Sequence, residues 1–373
     1  MFMRKVNQKL LGGKQRQEGK KKYWRRKEKS RRLMFAGVLL CTFLVARQNT
    51  LVVSAADAEN APKKGSVIAG YLKDPQMDEI CAEYRYQAPE GEITATYKSV
   101  ADMRANAEGL QAGDYIRTEN YYENGNGGGA VYQVEASSYT TDNGGTIINL
   151  PGAFRCKLVS GNSTVSPMQF GAYGDGKTDD HAALQAALKA GFQTVILEGR
   201  TYISNDTIWK ENCNHLLVEG MGATITCNND FGSYQKEGQE NNKQVFITNC
   251  KDITFRHIRI LDGQTTDHTR GLVSLQSVRN IDITYCTLDI PAGISSNPDY
   301  GSCNLSFGNG WHDVSTTHCE IINESGLKTG GAIGYNDCYA SGSENALFEN
   351  NVVRYNVKDE VIAIFSHSRE GSD

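Results

Sequence analysis

ITFRHIRI (253–260), IDITYCTL (281–288) and VSTTHCEI (314–321) share one layout. In the first, Ile253 and Phe255 point one way, Arg256 and His257 turn a corner, and Ile258 and Ile260 resume. Alternation at i, i+2 with β-branched residues is the pattern of short half-buried strands and argues against the rival reading, a helical solenoid of similar period. The residues on either side recur in step. One apolar series is Val245, Val273, Leu305, Ile333, Ile362. A second is Leu216, Ile253, Ile281, Val314, Ala346, and a third is Met221, Ile258, Cys286, Cys319, Asn351. The last two series advance by identical steps of 37, 28, 33 and 32, so their strands are locked together and the insertions fall elsewhere. Each unit therefore reads strand, turn, strand, two-residue corner, strand, long loop. A repeat of about thirty residues with three short strands suits a parallel β-solenoid whose coils stack about 4.8 Å apart and bury like on like.

Before the repeats, FGAYGDGKTDDHAALQAALKAG (170–191) is a Gly-rich turn running into a short amphipathic helix. Ala183, Leu184, Ala187 and Leu188 form its apolar face, which would cover the open strand edges of the first coil. Thr178, Asp179 or Asp180 can accept from the first-turn N–H groups, and this reading of the acidic cluster outweighs one as a metal or acid site. Together with TVILEGRTYIS (194–204), this stretch resembles the entry signature of the pectate-lyase-like superfamily, the group of rhamnogalacturonases, epimerase-like proteins and tailspikes. Glu198-Gly199-Arg200 stands where that family commonly has Pro-x-Gly. The resemblance covers about 166–365 and implies an all-β, right-handed single-stranded parallel β-helix that handles carbohydrate.

The chain has 373 residues and a net charge of −4, which hides two unlike parts. Residues 1–32 carry 14 Lys/Arg and 2 Asp/Glu, and LMFAGVLLCTFLVA (33–46) and the A-x-A spacing of Ala56 and Ala58 follow. This is the pattern of a secretory signal, or of an uncleaved N-terminal anchor, over residues 1–58. The protein is thus expected to be secreted or extracellular, touching a membrane only through that segment. The remaining residues are acidic, which makes nucleic acid a poor partner. Mean hydropathy of −0.47 excludes a multi-span membrane protein. Nine cysteines follow Cys41 without CxxC or zinc-finger spacing, and most fall in strand patterns, so few or no obligatory disulfides are expected.

Residues 59–93 read as an unstructured lead-in, 94–165 as a small β-rich segment, and 166–373 as the β-helix. Within the small segment, Tyr115, Tyr121, Tyr122 and Tyr132 can stack on sugars but more often pack. About six coils fit before Asp373 with no amphipathic capping segment after them. This marks either a truncated chain or a last coil covered by another chain.

In the family's geometry the first strand of each coil floors a groove, with Ser274, Ser306, Gly334 and Ala363 outward. Chemistry must come from the flanking loops and turns. A β-eliminating lyase needs a cation beside a uronate carboxylate and a base for the adjacent ring proton. Arg270 and Lys328 suit the carboxylate, His312 suits substrate binding, and Asp337, His367 and Glu360 are the catalytic candidates. Asp337, Asp359 and Glu360 could hold calcium, a hard cation that takes several oxygens. A hydrolase would instead use two carboxylates, Asp337 with Asp359 or Glu360. Gly-His-Gly, Arg-Ile-Lys and Asn-Thr-Asp, the polygalacturonase signatures, are absent. The expectation is an exported protein acting on uronate-containing, pectin-like polysaccharide as lyase or glycoside hydrolase; a non-catalytic glycan-binding surface or tailspike-like protein is the competing class.

Overall fold

The computed structural model describes residues 50–53, 74, 92–125, 127–136, 141–161, 163–228, 234–236, 239–241, 244–263, 272–291, 302–324, 330–337, 343–355 and 364–368. Alternation in the repeats becomes three faces of parallel strands. Face 1 is a six-stranded sheet of Ile208–Glu211, Val245–Thr248, Val273–Gln276, Ser302–Gly308, Gly330–Asp337 and Ile364–Ser368. Asn214–Thr226 and Lys251–Leu261 bend across faces 2 and 3. Arg279–Thr284, His312–Thr317 and Glu344–Glu349 continue face 2, while Thr287–Ile290, Glu320–Asn323 and Asn351–Tyr355 continue face 3. The fold is a parallel β-helix. Among the described residues no helix is long and apolar enough to cross a membrane.

Register bears out the second series throughout: Leu216, Ile253, Ile281, Val314 and Ala346 stack in order. One member of each of the other two series shifts by two residues. Ala223, not Met221, aligns with Ile258, and Ile364, not Ile362, aligns with Ile333. Phe365 therefore takes the register position read for Ala363. A slip of two leaves every side chain on its own face, so alternation alone is blind to it.

The corners are built from left-handed residues. His257, Tyr285, His318 and Asn350 have φ of 51–56° at the corner between faces 2 and 3. Between faces 1 and 2, His215, Asp252, Asn280, Asp313 and Asn345 do the same with φ of 52–61°. Asn and Asp tolerate this conformation better than most residues. Here each carboxylate also receives a neighbouring amide: Asn280 donates to Asp252 and Asn345 to Asp313, both at 2.8 Å.

Inside, Cys286, Cys319 and Asn351 form the expected ladder just past the second corner. The Cys286 N–H donates to the Cys319 sulfur at 3.5 Å, and the Cys319 N–H to Asn351 Oδ1 at 2.8 Å. Asn351 Nδ2 donates to the Thr316 carbonyl at 2.7 Å, which satisfies its fully buried amide. Cys156, Cys213, Cys227, Cys250, Cys286 and Cys319 are buried free thiols.

Helix α1 (Val100–Asn106) belongs to the small N-terminal sheet, and helix α2 (His181–Lys189) caps the β-helix. All four residues read as the apolar face of α2 are buried. Gln185 completes the cap: its Nε2 donates to the Trp209 carbonyl at 2.5 Å and its Oε1 accepts the Trp209 N–H at 2.9 Å. One side chain thereby pairs both backbone groups of an edge-strand residue. Asp179 accepts from the His181 N–H at 3.1 Å, whereas Asp180 turns to the Tyr173 and Gly174 N–H groups at 2.6 and 3.0 Å. The acidic cluster is thus turn and helix-start chemistry. A void of about 30 Å³ below α2, lined by residues including Leu184, Val195, Ile247 and Phe255, is wholly apolar and offers no polar ligand a partner.

The N-terminal sheet orders its strands as Ile93–Tyr97, Tyr115–Thr118, Val131–Ala136, Phe154–Leu158 and Ile147–Leu150. Its tyrosines pack. Tyr132 is buried, Tyr122 stacks on Tyr173 at 4.8 Å, and the Tyr122 hydroxyl donates to the Gly171 carbonyl at 3.0 Å, tying the sheet to the β-helix entry. Thr50–Val53 pairs antiparallel with Asn351–Tyr355 on face 3. Residues 1–49 lie outside the described residues. Within the stretch read as a lead-in, Asp74 is buried against His257.

Candidate functional site

Two register rows run along face 1, outward at the residues whose side chains are described. The first runs Trp209, Phe246, Ser274, Ser306, Gly334, Phe365, and the second runs Glu211, Thr248, Gln276, Gly308, Asn336, His367. Between them lie the inward residues Ile247, Leu275 and Phe307 and, on the other side of the first row, Val245, Val273, Leu305 and Ile333, all within the core. Phe246 is buried yet stands outside that core cluster, as expected of an outward residue that is sheltered. Three small residues, Ser274, Ser306 and Gly334, occupy the rungs between Phe246 and Phe365. Four rungs separate those two positions, roughly 19 Å at the spacing of neighbouring strands. Beside this flat floor, Thr248 and Gln276 bring hydroxyl and amide chemistry. Asn309 Nδ2 donates to Gln276 Oε1 at 3.2 Å and fixes its orientation.

Register sets His367 beside Asn336 and Asp337 beside Ser368, on two adjacent strands at one end of this face. His312 begins the face 2 strand that follows the Ser306 rung, with Arg279 and Glu344 as register neighbours. Its Nδ1 lies 3.6 Å from a Glu344 carboxylate oxygen. Arg270, Lys328, Asp359 and Glu360 lie outside the described residues. Among the described residues no group of three or more His, Cys, Asp or Glu is placed to hold a metal ion, and the proposed calcium set contains two of the residues outside that description.

Face 3 holds carboxylates of another kind. Asp289 accepts from Arg259 at 2.5 Å, and Glu320 pairs with Arg354. Burial pushes the Glu320 carboxyl above its ordinary value, against the pull of Arg354. Each carboxylate already holds a guanidinium, which leaves them poor candidates for acid and base work.

A third cluster escaped the sequence reading. At the corner of faces 2 and 3, fully buried Glu219 pairs with Arg256 and lies 2.9 Å from His257 Nδ1. His257 Nε2 lies 3.0 Å from Asp74. The Met221 N–H donates to Glu219 at 2.8 Å. Burial raises the Glu219 carboxyl, but His257, the Met221 N–H and Arg256 outweigh it and hold the group below its ordinary value. The His257 ring stacks on Tyr285 at 5.5 Å, and Tyr285 stacks on His318 at 4.8 Å. A carboxylate inside the apolar run of LLVEGMG (216–222) was the one available signal; Asp74, 183 residues from His257, had none.

Residues 96–161 match the phage tail protein small four-stranded β-sheet domain. This region is the N-terminal sheet, where the Tyr122–Tyr173 stack joins it to the β-helix. No curated protein matches the chain. Among solved structures it is similar to the tailspike protein of Acinetobacter baumannii phage AM24, at 13% identity and TM-score 0.39, over 68% of this chain and 55% of that one. It is also similar to Pantoea stewartii WceF, described as a glycan biofilm modifying enzyme with a tailspike-like parallel β-helix fold, at 14% identity and TM-score 0.32, over 69% and 48%. A third is tailspike gp49 of Acinetobacter baumannii bacteriophage Fri1, described as a capsular polysaccharide depolymerase, at 15% identity and TM-score 0.29, over 68% and 69%. The chain spans about half the length of the first proteins it is similar to.

Proposed function

We propose that this is an exported carbohydrate-active protein that lays a polysaccharide chain along face 1 and cleaves it. The carrying observation is the floor of that face: three small rungs between Phe246 and Phe365, flanked by Thr248 and Gln276. A flat, sheltered strip of this length fits an extended chain of rings better than a compact ligand. Polysaccharide is also the substrate class named for the gp49 depolymerase. In the finer reading the glycan contains uronates, Arg270 and Lys328 hold its carboxylates, and Asp337, His367 and Glu360 carry the chemistry by elimination or hydrolysis.

The test is the full chain incubated with a panel of acidic and neutral polysaccharides, with and without calcium. Unsaturated uronide absorbance and reducing ends are both followed. Elimination raises both signals, whereas hydrolysis raises reducing ends alone. D337A, H367A and E360A should each cut turnover at least a hundredfold while the circular dichroism spectrum and Tm hold. Binding without turnover on any member of the panel would replace the enzyme reading with that of a glycan-binding protein.

A further inference from the structure

Cys213 and Cys250 occupy the same place on two successive coils, in the turn that leads from face 1 to face 2. Asn214 and Lys251, the residues after them, are register partners, and the Lys251 N–H donates to the Cys213 carbonyl at 3.0 Å. The Cys213 N–H in turn donates to the Cys250 sulfur at 3.3 Å. Neighbouring strands lie about 4.8 Å apart, inside the range of about 4.4–6.8 Å that separates the Cα atoms of a disulfide. The two side chains also meet: the Cys213 thiol hydrogen-bonds the Cys250 sulfur, whose own S–H donates to the Thr248 carbonyl at 3.3 Å. The next rungs of this row carry the buried Val278 and Trp311, so its chemistry is confined to the two thiols.

Cys286 and Cys319 are stacked in a similar way, with the Cys286 N–H 3.5 Å from the Cys319 sulfur. They lie deeper, at 2% and 0% exposure, and the Cys319 N–H is taken up by Asn351 on the far side. Cys213 is 9% exposed, and the residues that flank the first pair, Asn212, Asn214, Asn249 and Lys251, are exposed. A reagent therefore reaches the first pair before the second. Within it the two sulfurs differ. The thiol and N–H of Cys213 both donate to Cys250 and hold its thiol below the ordinary value against the effect of burial, with Lys210 adding to the pull. The same contact and burial push the Cys213 thiol up. The thiolate is the attacking form of cysteine, so Cys250 is the first nucleophile and Cys213 the resolving thiol.

We propose that Cys213 and Cys250 form a redox clip that closes into a disulfide when the chain meets a small oxidising disulfide such as oxidised glutathione. The Cys250 thiolate attacks one glutathione sulfur, a mixed disulfide forms, and the first glutathione leaves as a thiolate. Cys213 then gives up its proton and attacks the Cys250 sulfur, and the second glutathione leaves. The dithiol loses two hydrogens and two electrons, and one oxidised glutathione becomes two reduced ones. The bond ties the first coil to the second across 37 positions of chain, which restricts the unfolded state and stabilises the stack. This inference does not depend on the glycan reading.

The full-length chain, refolded from urea in reduced or in oxidised glutathione, tests it, since refolding gives the reagent access to every sulfur. Free thiols are then alkylated, and the tryptic peptides are weighed with and without reduction. The oxidised sample should contain a peptide that links Cys213 to Cys250, while Cys286 and Cys319 remain alkylated as thiols. Its Tm should exceed that of the reduced sample by at least about 4 °C. C213S and C250S should show no such difference, and C286S should keep it. Alkylation of both Cys213 and Cys250 after oxidised refolding, or a glutathione that stays on either of them, would overturn the proposal. So would a Tm difference that persists in C213S.

Discussion

At Glu219, a carboxylate is fully buried at a position where burial alone would favour its neutral form. It stays charged because three donors converge on it: Arg256, His257 and the Met221 N–H. Removing one partner of a buried charged set leaves the others uncompensated and costs about 3–5 kcal/mol. E219Q should destabilise the protein by about that amount at pH 7, read as the shift in the urea unfolding midpoint. The pH course follows from the direction of the Glu219 shift. A carboxyl held below its unfolded value contributes stability above about pH 4.5, and that contribution is lost as pH falls through the folded value. The gap between wild type and E219Q should therefore narrow in acid, and equal widths at pH 7 and pH 3.5 would contradict the assignment. Asn351 poses the neutral version of the problem. Its amide closes the Cys286–Cys319 ladder through two hydrogen bonds, so N351A should cost about 1–3 kcal/mol.

At the scale of elements, helix α2 acts as a lid on strand edges rather than as a site. Gln185 is the informative residue, since it pairs both the N–H and the C=O of Trp209. Q185L preserves volume and helix propensity but leaves two edge groups unpaired, with an expected loss of about 1–3 kcal/mol. An unchanged Tm in Q185L would mean that water satisfies Trp209 equally well. The face 1 strands make the matching functional prediction. S306W places a large ring on the small floor without touching the inward residues Leu305 and Phe307. It should abolish glycan binding with Tm kept within about 2 °C, a small shift by the scaling for chains of this size. Binding that survives S306W would move the glycan off face 1.

Across the whole molecule, stability is distributed along the stack because each coil pairs with its neighbours. Arg279–Thr284 has a partner strand on both sides, whereas Glu344–Glu349 has a face 2 partner on one side among the described residues. Ala346 and Leu347 are correspondingly exposed, Leu347 at 49%. Amides of Glu344–Glu349 should exchange at least tenfold faster than those of Arg279–Thr284. Equal rates would mean that the stack opens as one unit.

The repeat, its three-strand unit, the corner at Arg256–His257 and the buried face of α2 were legible from residue order. Each rests on a local rule: alternation with period 2, or apolar spacing along one helix face. The rows stacking Ile253, Ile281 and Val314 were legible too, because insertions fall in loops and leave paired strands in step. Absolute register at Met221 and Ile362 was not, since a slip of two preserves every inside–outside assignment and only the closed ladder of backbone hydrogen bonds fixes it. The Glu219–His257–Asp74 cluster was decided by tertiary structure alone. Alternation puts Glu219 on the outer face, and nothing in the order of residues says that a carboxylate 183 positions from His257 will cover it. Burial converts three unremarkable polar residues into a charge network, and burial is a property of the folded stack.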